Sequence, residues 1–299
     1  MLEPTSKGVI RDLQAQGVAI YDNSMLSACI TCPRLLYYRH QRGLVPKNQQ
    51  PSTPLQFGLA VHASLETYYG GSTEHEALKV FVEIFKPFEE MATISPKTGK
   101  ELGATYTVLY GCSILSEYFR KYKSDAREII MLETPVAEEI SDGVFLAGRI
   151  DKVVKGRSGV VFVDYKTSKY IDGFQLNPNP QFMTYKFLTE KLTGEKVSGE
   201  LDLIGVSKTK DVSLLLRREP FNYTKYQMDE WRKSVIGNVK TLEFYKANNF
   251  FPQTWRCKPF YRDCAFLPLC TLPEDGMVER FIEEMYEISY WDPFAEEGD

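Results

Sequence analysis

The run Gly148-Arg-Ile-Asp151-Lys-Val-Val-Lys155 is followed by the turn Gly156-Arg-Ser158 and then by Gly159-Val-Val-Phe-Val-Asp164-Tyr-Lys166-Thr-Ser168. The two flanks are rich in β-branched residues, and Gly and Ser separate them, the pattern of two strands joined by a tight hairpin. Such a hairpin brings Asp151 and Asp164 to the same end of a sheet, close enough to share one divalent cation. Hard cations such as Mg²⁺ take oxygen ligands and keep several waters. A bound cation polarises a phosphoryl oxygen and acidifies a bound water, the two things phosphodiester hydrolysis needs. Lys166 follows Asp164 by two residues, so on a strand it shares that face. There it can orient the attacking water or neutralise charge developing on a phosphate. An Asp-x-Lys on a strand is, by itself, more often a solvated pair than a catalytic one, so its surroundings decide.

Upstream, Ser24 to His40 reads as a helix interrupted near Pro33, and the polar stretch from Pro46 to Pro54 reads as a loop. Leu55 to Tyr69 places Leu59, His62, Leu65 and Tyr69 at helical spacing and is stopped by Gly70-Gly71. Helices are expected over about 74–91 and 103–123. Strands are expected over Glu128–Ile140, Val144–Val154 and Gly159–Tyr165, with Ser141-Asp142-Gly143 as the first turn. Downstream come a helix near 180–192, strands near 198–207 and 211–219, and a long helix from Thr224 to Asn248. The apolar run Val212-Ser-Leu-Leu-Leu216 is expected to be a largely buried strand. A loop rich in Cys, Pro and aromatics runs from Phe251 to Pro273, and a last helix covers about 275–290. The fold class is therefore α/β, a central mixed β-sheet flanked by helices. One domain over 1–299 is expected, comprising an N-terminal helical region (24–125), a core (126–248), a cysteine loop (249–275) and a C-terminal helix with an acidic tail (276–299).

The composition is that of a folded globular protein: 43% hydrophobic and 25% charged residues, with 18 Tyr and 18 Phe among 299 residues. No stretch approaches the ~18 uninterrupted apolar residues of a membrane span. Met1-Leu-Glu-Pro-Thr-Ser-Lys7 lacks a basic segment followed by an apolar run, so a cytoplasmic protein with no membrane partner is expected. The net charge of −4 argues against a protein that coats nucleic acid nonspecifically but not against a cleft with a local basic lining. Arg34, Arg39, Arg42, Arg149, Lys152, Lys166 and Lys169, with Tyr37 and Tyr38 interleaved, are candidate phosphate and base contacts.

Six cysteines stand at positions 29, 32, 112, 257, 264 and 270. In a reducing compartment they are not expected to pair as disulfides. Cys257, Cys264 and Cys270 gather within one loop, and with Cys32 they can form a four-thiolate site for zinc or an iron–sulfur cluster. Cys29 is a rival fourth ligand, and both Cys29 and Cys112 otherwise read as buried thiols.

Taken together, Asp151, an apolar strand and Asp164-Tyr165-Lys166 resemble the PD-(D/E)XK nuclease superfamily, and three more motifs resemble its RecB-like branch. Gly58-Leu-Ala-Val-His62 matches a glycine–helix–histidine motif, Gly148-Arg-Ile-Asp151 the branch's first acidic motif, and Gln181-Phe-Met-Thr-Tyr185 a Gln-x-x-x-Tyr signature. The resemblance implies a restriction-endonuclease-like core. It also implies metal ligation by His62, Asp151, Asp164 and the Tyr165 carbonyl, with Lys166, Gln181 and Tyr185 completing the catalytic constellation. The cysteines resemble the iron–sulfur subset of that branch, similar to CRISPR-associated and phage exonucleases, in which one cysteine precedes the nuclease motifs and three follow. That implies a 4Fe-4S cluster on Cys32, Cys257, Cys264 and Cys270. The spacing departs from the subset's usual form, since Tyr261 stands where many members have the first of the three cysteines. The activity implied is a Mg²⁺- or Mn²⁺-dependent DNA exonuclease on single-stranded ends, in repair, recombination, phage replication or CRISPR adaptation, with protein partners from such complexes. The alternative is a non-catalytic DNA-binding or complex-forming protein that keeps the fold.

Overall fold

The computed structural model describes residues 17–48, 51–91, 93–94, 101–102, 104–207, 209–258, 263–273 and 275–290. The N-terminal segment, Tyr261 and the acidic tail (Glu296, Glu297 and Asp299) lie outside these residues. In chain order the principal elements are β1 (Ala19–Asp22), α1 (Asn23–Thr31), α2 (Thr53–Tyr69), α3 (Glu74–Phe85), α4 (Val108–Tyr122), β2 (Ile129–Ser141), β3 (Val144–Gly156), β4 (Gly159–Ser168), α5 (Pro180–Thr193), β5 (Val197–Gly205), β6 (Leu216–Phe221), α6 (Lys225–Ala247) and α7 (Asp275–Met285). Local chemistry sets the boundaries. Thr73 and Thr224 each form a capping box with Glu76 and Gln227, and Asn179 accepts from the Phe182 amide ahead of Pro180. Gly143 turns the β2–β3 hairpin at φ +70°, a conformation that only glycine adopts without cost.

The chain forms two compact units, each assembled from separated segments. The first comprises Pro51–Val136 and Arg149–Tyr223; the second comprises the described residues of Thr5–Gln50, Ala137–Gly148 and Thr224–Asp299. Strands β2 and β3 pass from one unit into the other.

In the first unit the sheet order is β3-β4-β5-β6. The β3–β4 and β5–β6 pairs are antiparallel and β4–β5 is parallel, which makes the sheet mixed, as expected. Side chains alternate along β4, and helices cover both faces. Phe162 meets Phe182 and Tyr185 of α5 on one face, whereas Tyr165 meets Tyr118 of α4 on the other. Phe57 of α2 packs edge-on against Phe81, Phe85 and Tyr106, with ring centroids 5.4, 5.1 and 5.3 Å away. A Cβ at Gly111 would fall 2.0 Å from the Phe81 ring, so α4 needs glycine there.

The Tyr165 face also holds a buried polar network. Asp202 accepts from the Tyr118 hydroxyl at 2.5 Å and pairs with the Arg218 guanidinium at 2.8 Å. Arg218 reaches Asp125, which Arg127 also holds at 2.7 Å, and stacks over Tyr122 at 3.8 Å. Lys152 lies wholly inside this face, its ammonium 3.5 Å from the Tyr69 ring centroid. Burial lowers its pKa from the ordinary lysine value to about 7, against the opposing pull of Asp202.

In the second unit β1 runs parallel to residues Val144–Ala147 of β3. Helix α6 turns Trp231, Val235, Val239 and Leu242 inward at helical spacing. Tyr38, Leu44, Phe266, Leu269, Ile282 and Tyr286 form a separate apolar cluster.

Three expectations need correction. The expected strand at 211–219 begins as a 3-10 turn over Val212–Leu215, because the Asp211 carboxylate accepts from the Ser213 amide and outcompetes strand pairing. Leu214 is consequently 71% exposed, and the strand starts only at Leu216. The helix from 74 stops at Phe85, where Pro87 converts the chain to a 3-10 turn. The last helix stops at Met285, since Tyr286–Ile288 pairs antiparallel with Leu44–Pro46.

Candidate metal-dependent active site

The site lies in the first unit and begins with the hairpin register. Lys152 faces Val163 across the β3–β4 ladder, and one further step in that register sets Asp151 opposite Asp164. Asp151 Oδ2 accepts the Tyr165 amide at 2.7 Å, so the carboxylate takes the place of a backbone acceptor. Helix α2 brings His62 to the same point. Its Nε2 lies 3.0 Å from the Tyr165 carbonyl, the arrangement of an N–H donating to it, and its ring meets the Tyr165 ring edge-on. Its Nδ1 lies 3.6 Å from Asp151 Oδ2 and 3.7 Å from Glu133 Oε1. Gly58 sits one turn before His62, where a Cβ would be 3.1 Å from Thr167 Oγ1. Glycine thus lets the helix lie close on β4 and keeps His62 within reach of the carboxylates.

Glu133 is the residue that sequence reasoning missed. It is on β2 with φ +39°, a left-handed conformation that a side-chain-bearing residue adopts only under constraint. The distortion aims a largely covered carboxylate at the site, and among the described residues its Oε1 has no hydrogen-bond partner, only the His62 ring 3.7 Å away. The one signal in the sequence is Pro135, which removes a ladder donor from a strand and marks an irregularity there.

Among the described residues, His62, Glu133 and Asp151 form one group whose ligand atoms all lie within 4.8 Å of one another. Asp164, expected as a ligand, is outside that group and holds Lys166 instead. Lys166 Nζ donates to Oδ1 at 3.0 Å and stands 2.9 Å from Oδ2 as an ion pair. On α5, Gln181 Nε2 donates to the Tyr185 hydroxyl at 2.9 Å, and Lys166 lies 6.0 Å from the ring of the intervening Phe182.

The electrostatics are those of a crowded, largely covered anionic site. Burial raises the Asp164 carboxyl to about 6, with Lys166 opposing and Asp151 reinforcing. Burial likewise raises Asp151, while His62 pulls it down and Glu133 pushes it up. Burial would lower His62, but Asp151 and Glu133 raise it to about 9. Burial would also lower Lys166, yet Asp164 and Asp151 hold it above the ordinary lysine value. Tyr185 lies well above the ordinary phenol value through burial and the nearby carboxylates. The Glu133 and Asp151 carboxylates converging on the His62 ring, with the Asp164–Lys166 pair beside them, fit a divalent cation.

In the second unit Cys32, Cys257, Cys264 and Cys270 line one cavity of about 240 Å³. The Cys264 amide donates to the Cys257 carbonyl at 2.7 Å, and Cys270 sits in the short helix Leu267–Thr271. Burial would raise the Cys32 thiol, but amides of Leu35, Thr254 and Arg34 and the Thr254 side chain bring it below its ordinary value. Burial raises Cys264 and Cys270, and neighbouring cysteines add to it. Cys29 is a buried core thiol of α1, and Cys112 lies on α4.

Most of the expected nucleic-acid contacts are already engaged. Arg34 donates to the Phe251 carbonyl, Arg39 to the Ser289 carbonyl and Arg42 to Glu279, at 2.8, 2.8 and 2.7 Å. Tyr38 is buried, and Tyr37 stacks on Phe251 at 4.8 Å. Lys152 points into the protein interior and cannot reach a phosphate. Lys169 remains exposed.

An acidic cage that can hold a cation thus stands beside a lysine held by a carboxylate near the end of β4. The chain matches the PD-(D/E)XK nuclease superfamily over residues 23–271 and belongs to it. It is similar in fold to a candidate exonuclease from Eubacterium rectale of known structure, at 16% identity and a TM-score of 0.52, covering 86% of this chain and 92% of that one. A second solved structure, of the protein SSO0001, aligns at 13% identity and a TM-score of 0.32 over 89% of this chain and 98% of that one. No curated protein matches the chain significantly.

Proposed function

We propose that the protein is a Mg²⁺- or Mn²⁺-dependent DNA exonuclease of the RecB-like branch, acting on single-stranded ends. The observation that carries this reading is the closeness of His62, Glu133 and Asp151 beside the Asp164–Lys166 pair. His62, Asp151 and Glu133 would hold the cation, with Asp164 and the Tyr165 carbonyl next to it. When bound, such a cation polarises a phosphoryl oxygen and acidifies a water. Lys166, kept protonated by Asp164 and Asp151, orients the nucleophile and offsets charge developing on the phosphate. Asp151 accepts the Tyr165 amide and His62 donates to the Tyr165 carbonyl, so both stay fixed relative to β4. Tyr185, held by Gln181, closes the α5 side and keeps its proton, giving the site a neutral hydroxyl donor.

The second part of the proposal is a structural 4Fe-4S cluster on Cys32, Cys257, Cys264 and Cys270, with zinc as the alternative occupant. Their shared cavity and the amide donors around Cys32 support it, because thiolate ligands need donors and exclusion of water. The end ligands lie 238 positions apart in the chain (270 − 32), so the metal would tie distant segments of the second unit together.

One preparation tests both parts. Protein purified anaerobically is expected to show iron–sulfur absorption in the visible and to degrade end-labelled single-stranded DNA with Mg²⁺ or Mn²⁺. Asp164→Ala is expected to abolish cleavage with the visible spectrum and folding unchanged. Undiminished cleavage by that variant would refute the assignment of the site, and a colourless preparation with four thiolates bound to zinc would replace the cluster.

A further inference from the structure

The segment just past the lysine-bearing strand holds an exposed aromatic on a pinned backbone. Strand β4 ends at Ser168, two residues beyond Lys166. The Ser168 hydroxyl donates to the Tyr170 carbonyl at 2.9 Å and accepts the Tyr170 amide at 3.0 Å, which fixes the backbone of Tyr170 on both sides. The chain re-enters the core at Ile171, 8% exposed, whose carbonyl accepts from Arg217; Arg217 also pairs with Asp172 at 3.2 Å. Between these anchors the Tyr170 side chain is 83% exposed. Its neighbour Lys169 is also exposed and is steadied by the Tyr106 ring, with its ammonium 5.0 Å from the centroid.

A large aromatic side chain in water on a pinned backbone gives up burial without gaining freedom for the loop. An exposed aromatic beside a fixed cation is what a single nucleic-acid strand recognises, because any base can stack on the ring while the ammonium meets its phosphate. The position fits as well. Four residues of extended chain separate Tyr170 from Lys166, at most about 13 Å, which is the reach of a short stretch of strand from the scissile phosphate. Arg34, Arg39 and Arg42 of the second unit, by contrast, are bound to that unit's own carbonyls and carboxylates.

The geometry points to Tyr170 as a stacking platform for one unpaired base close to the scissile phosphate, with Lys169 holding the adjacent phosphate. This rests on the nuclease reading above and specifies its substrate as a strand with unpaired bases at the site. Duplex DNA without an unpaired base at that position gains nothing from Tyr170.

The test uses the full chain and a fluorescent single-stranded oligonucleotide. Loss of one base stack by Tyr170→Ala is expected to raise KM by roughly 5- to 150-fold, the range that aromatic-to-alanine changes give for stacked bases. The loss falls on KM rather than kcat, and Tyr170→Phe, which keeps the ring, recovers most of it. A single abasic site walked along the oligonucleotide is expected to reproduce the KM rise at one position in the wild type and to add nothing there in Tyr170→Ala. Lys169→Ala is expected to lower the slope of log affinity against log salt by about 0.7, the value for one phosphate on a single strand. Equal loss on single-stranded and fully paired substrates, equal loss in Tyr170→Phe, or abasic effects that persist in Tyr170→Ala would overturn the stacking role. If the wild type leaves DNA intact, the nuclease reading fails on its own. Anisotropy of the labelled strand in Ca²⁺ then decides the stacking separately: weaker binding by Tyr170→Ala supports it and unchanged binding overturns it.

Discussion

Gly58→Ala sets two effects of opposite sign against each other. In the interior of α2, replacing glycine with alanine favours the helix by about 1 kcal/mol, because the unfolded chain loses conformational freedom. The new Cβ would lie 3.1 Å from Thr167 Oγ1, a few tenths of an ångström inside ordinary contact. Relief requires α2 to lift from β4 by about 0.3 Å, and His62 is one turn farther along. If a displacement of 1 Å at a reacting centre costs about 100-fold, 0.3 Å costs about fourfold. The variant is therefore expected to be as stable as the parent or more so, yet about fourfold lower in kcat/KM for single-stranded DNA. Thr167→Ala removes the obstructing oxygen, so in that background Gly58→Ala should cost nothing, a coupling of about 0.8 kcal/mol. Urea denaturation and steady-state cleavage of the four proteins complete the cycle. A fourfold loss that persists without the Thr167 hydroxyl, or a stabilised Gly58→Ala with full activity, would refute the argument that glycine sets the helix-to-strand distance.

Two further predictions concern single side chains. Glu133→Gln is expected to weaken Mn²⁺ binding about tenfold or more by calorimetry, with the circular dichroism spectrum intact; an unchanged Kd would exclude Glu133 from the metal site. The hydrogen bonds from Arg127 hold the Asp125 carboxyl well below the ordinary carboxylate range, with burial opposing and Arg218 reinforcing. A depressed folded-state pKa contributes stability that is complete above the unfolded value near 3.9 and is lost as pH falls below it. Stability of the parent, measured by urea denaturation at pH 5, 4 and 3, is thus expected to fall more steeply than that of Arg127→Met, and parallel curves would contradict this.

The β3–β4 hairpin was legible because period-two apolar runs, a glycine-bearing turn and two aspartates carry their own geometry. The turn length sets the register that brings Asp151 opposite Asp164. The α2 helix was legible for a similar reason, since Gly58 and His62 lie one turn apart on a periodic face. Glu133 was not, because its role comes from a local backbone distortion in a strand and from neighbours distant in the chain. Arg34, Arg39 and Arg42 read as nucleic-acid contacts from sequence alone, because nothing in their own segment reveals the Phe251 and Ser289 carbonyls or Glu279 that engage them. Lys152 was misjudged in the same way: strand alternation puts it on the face opposite Asp151, and only the tertiary fold shows that face to be buried. The Val212–Leu215 turn shows a single Asp211 side chain prevailing over an apolar run that otherwise specifies a strand.

The interleaving of the two units bears on how such a chain can change by recombination. Along the described residues the polypeptide leaves one unit for the other after residues 50, 136, 148 and 223, so neither unit is a continuous stretch of the gene. A fragment running from β2 to the end of α6 would lack α2, and with it His62, while carrying a helix that belongs to the second unit. Exchange at a single crossover would therefore divide at least one of the two units. Substitution in place, or insertion at the Asp142-Gly143 turn, is the route by which this architecture can diversify while its acidic cage stays whole.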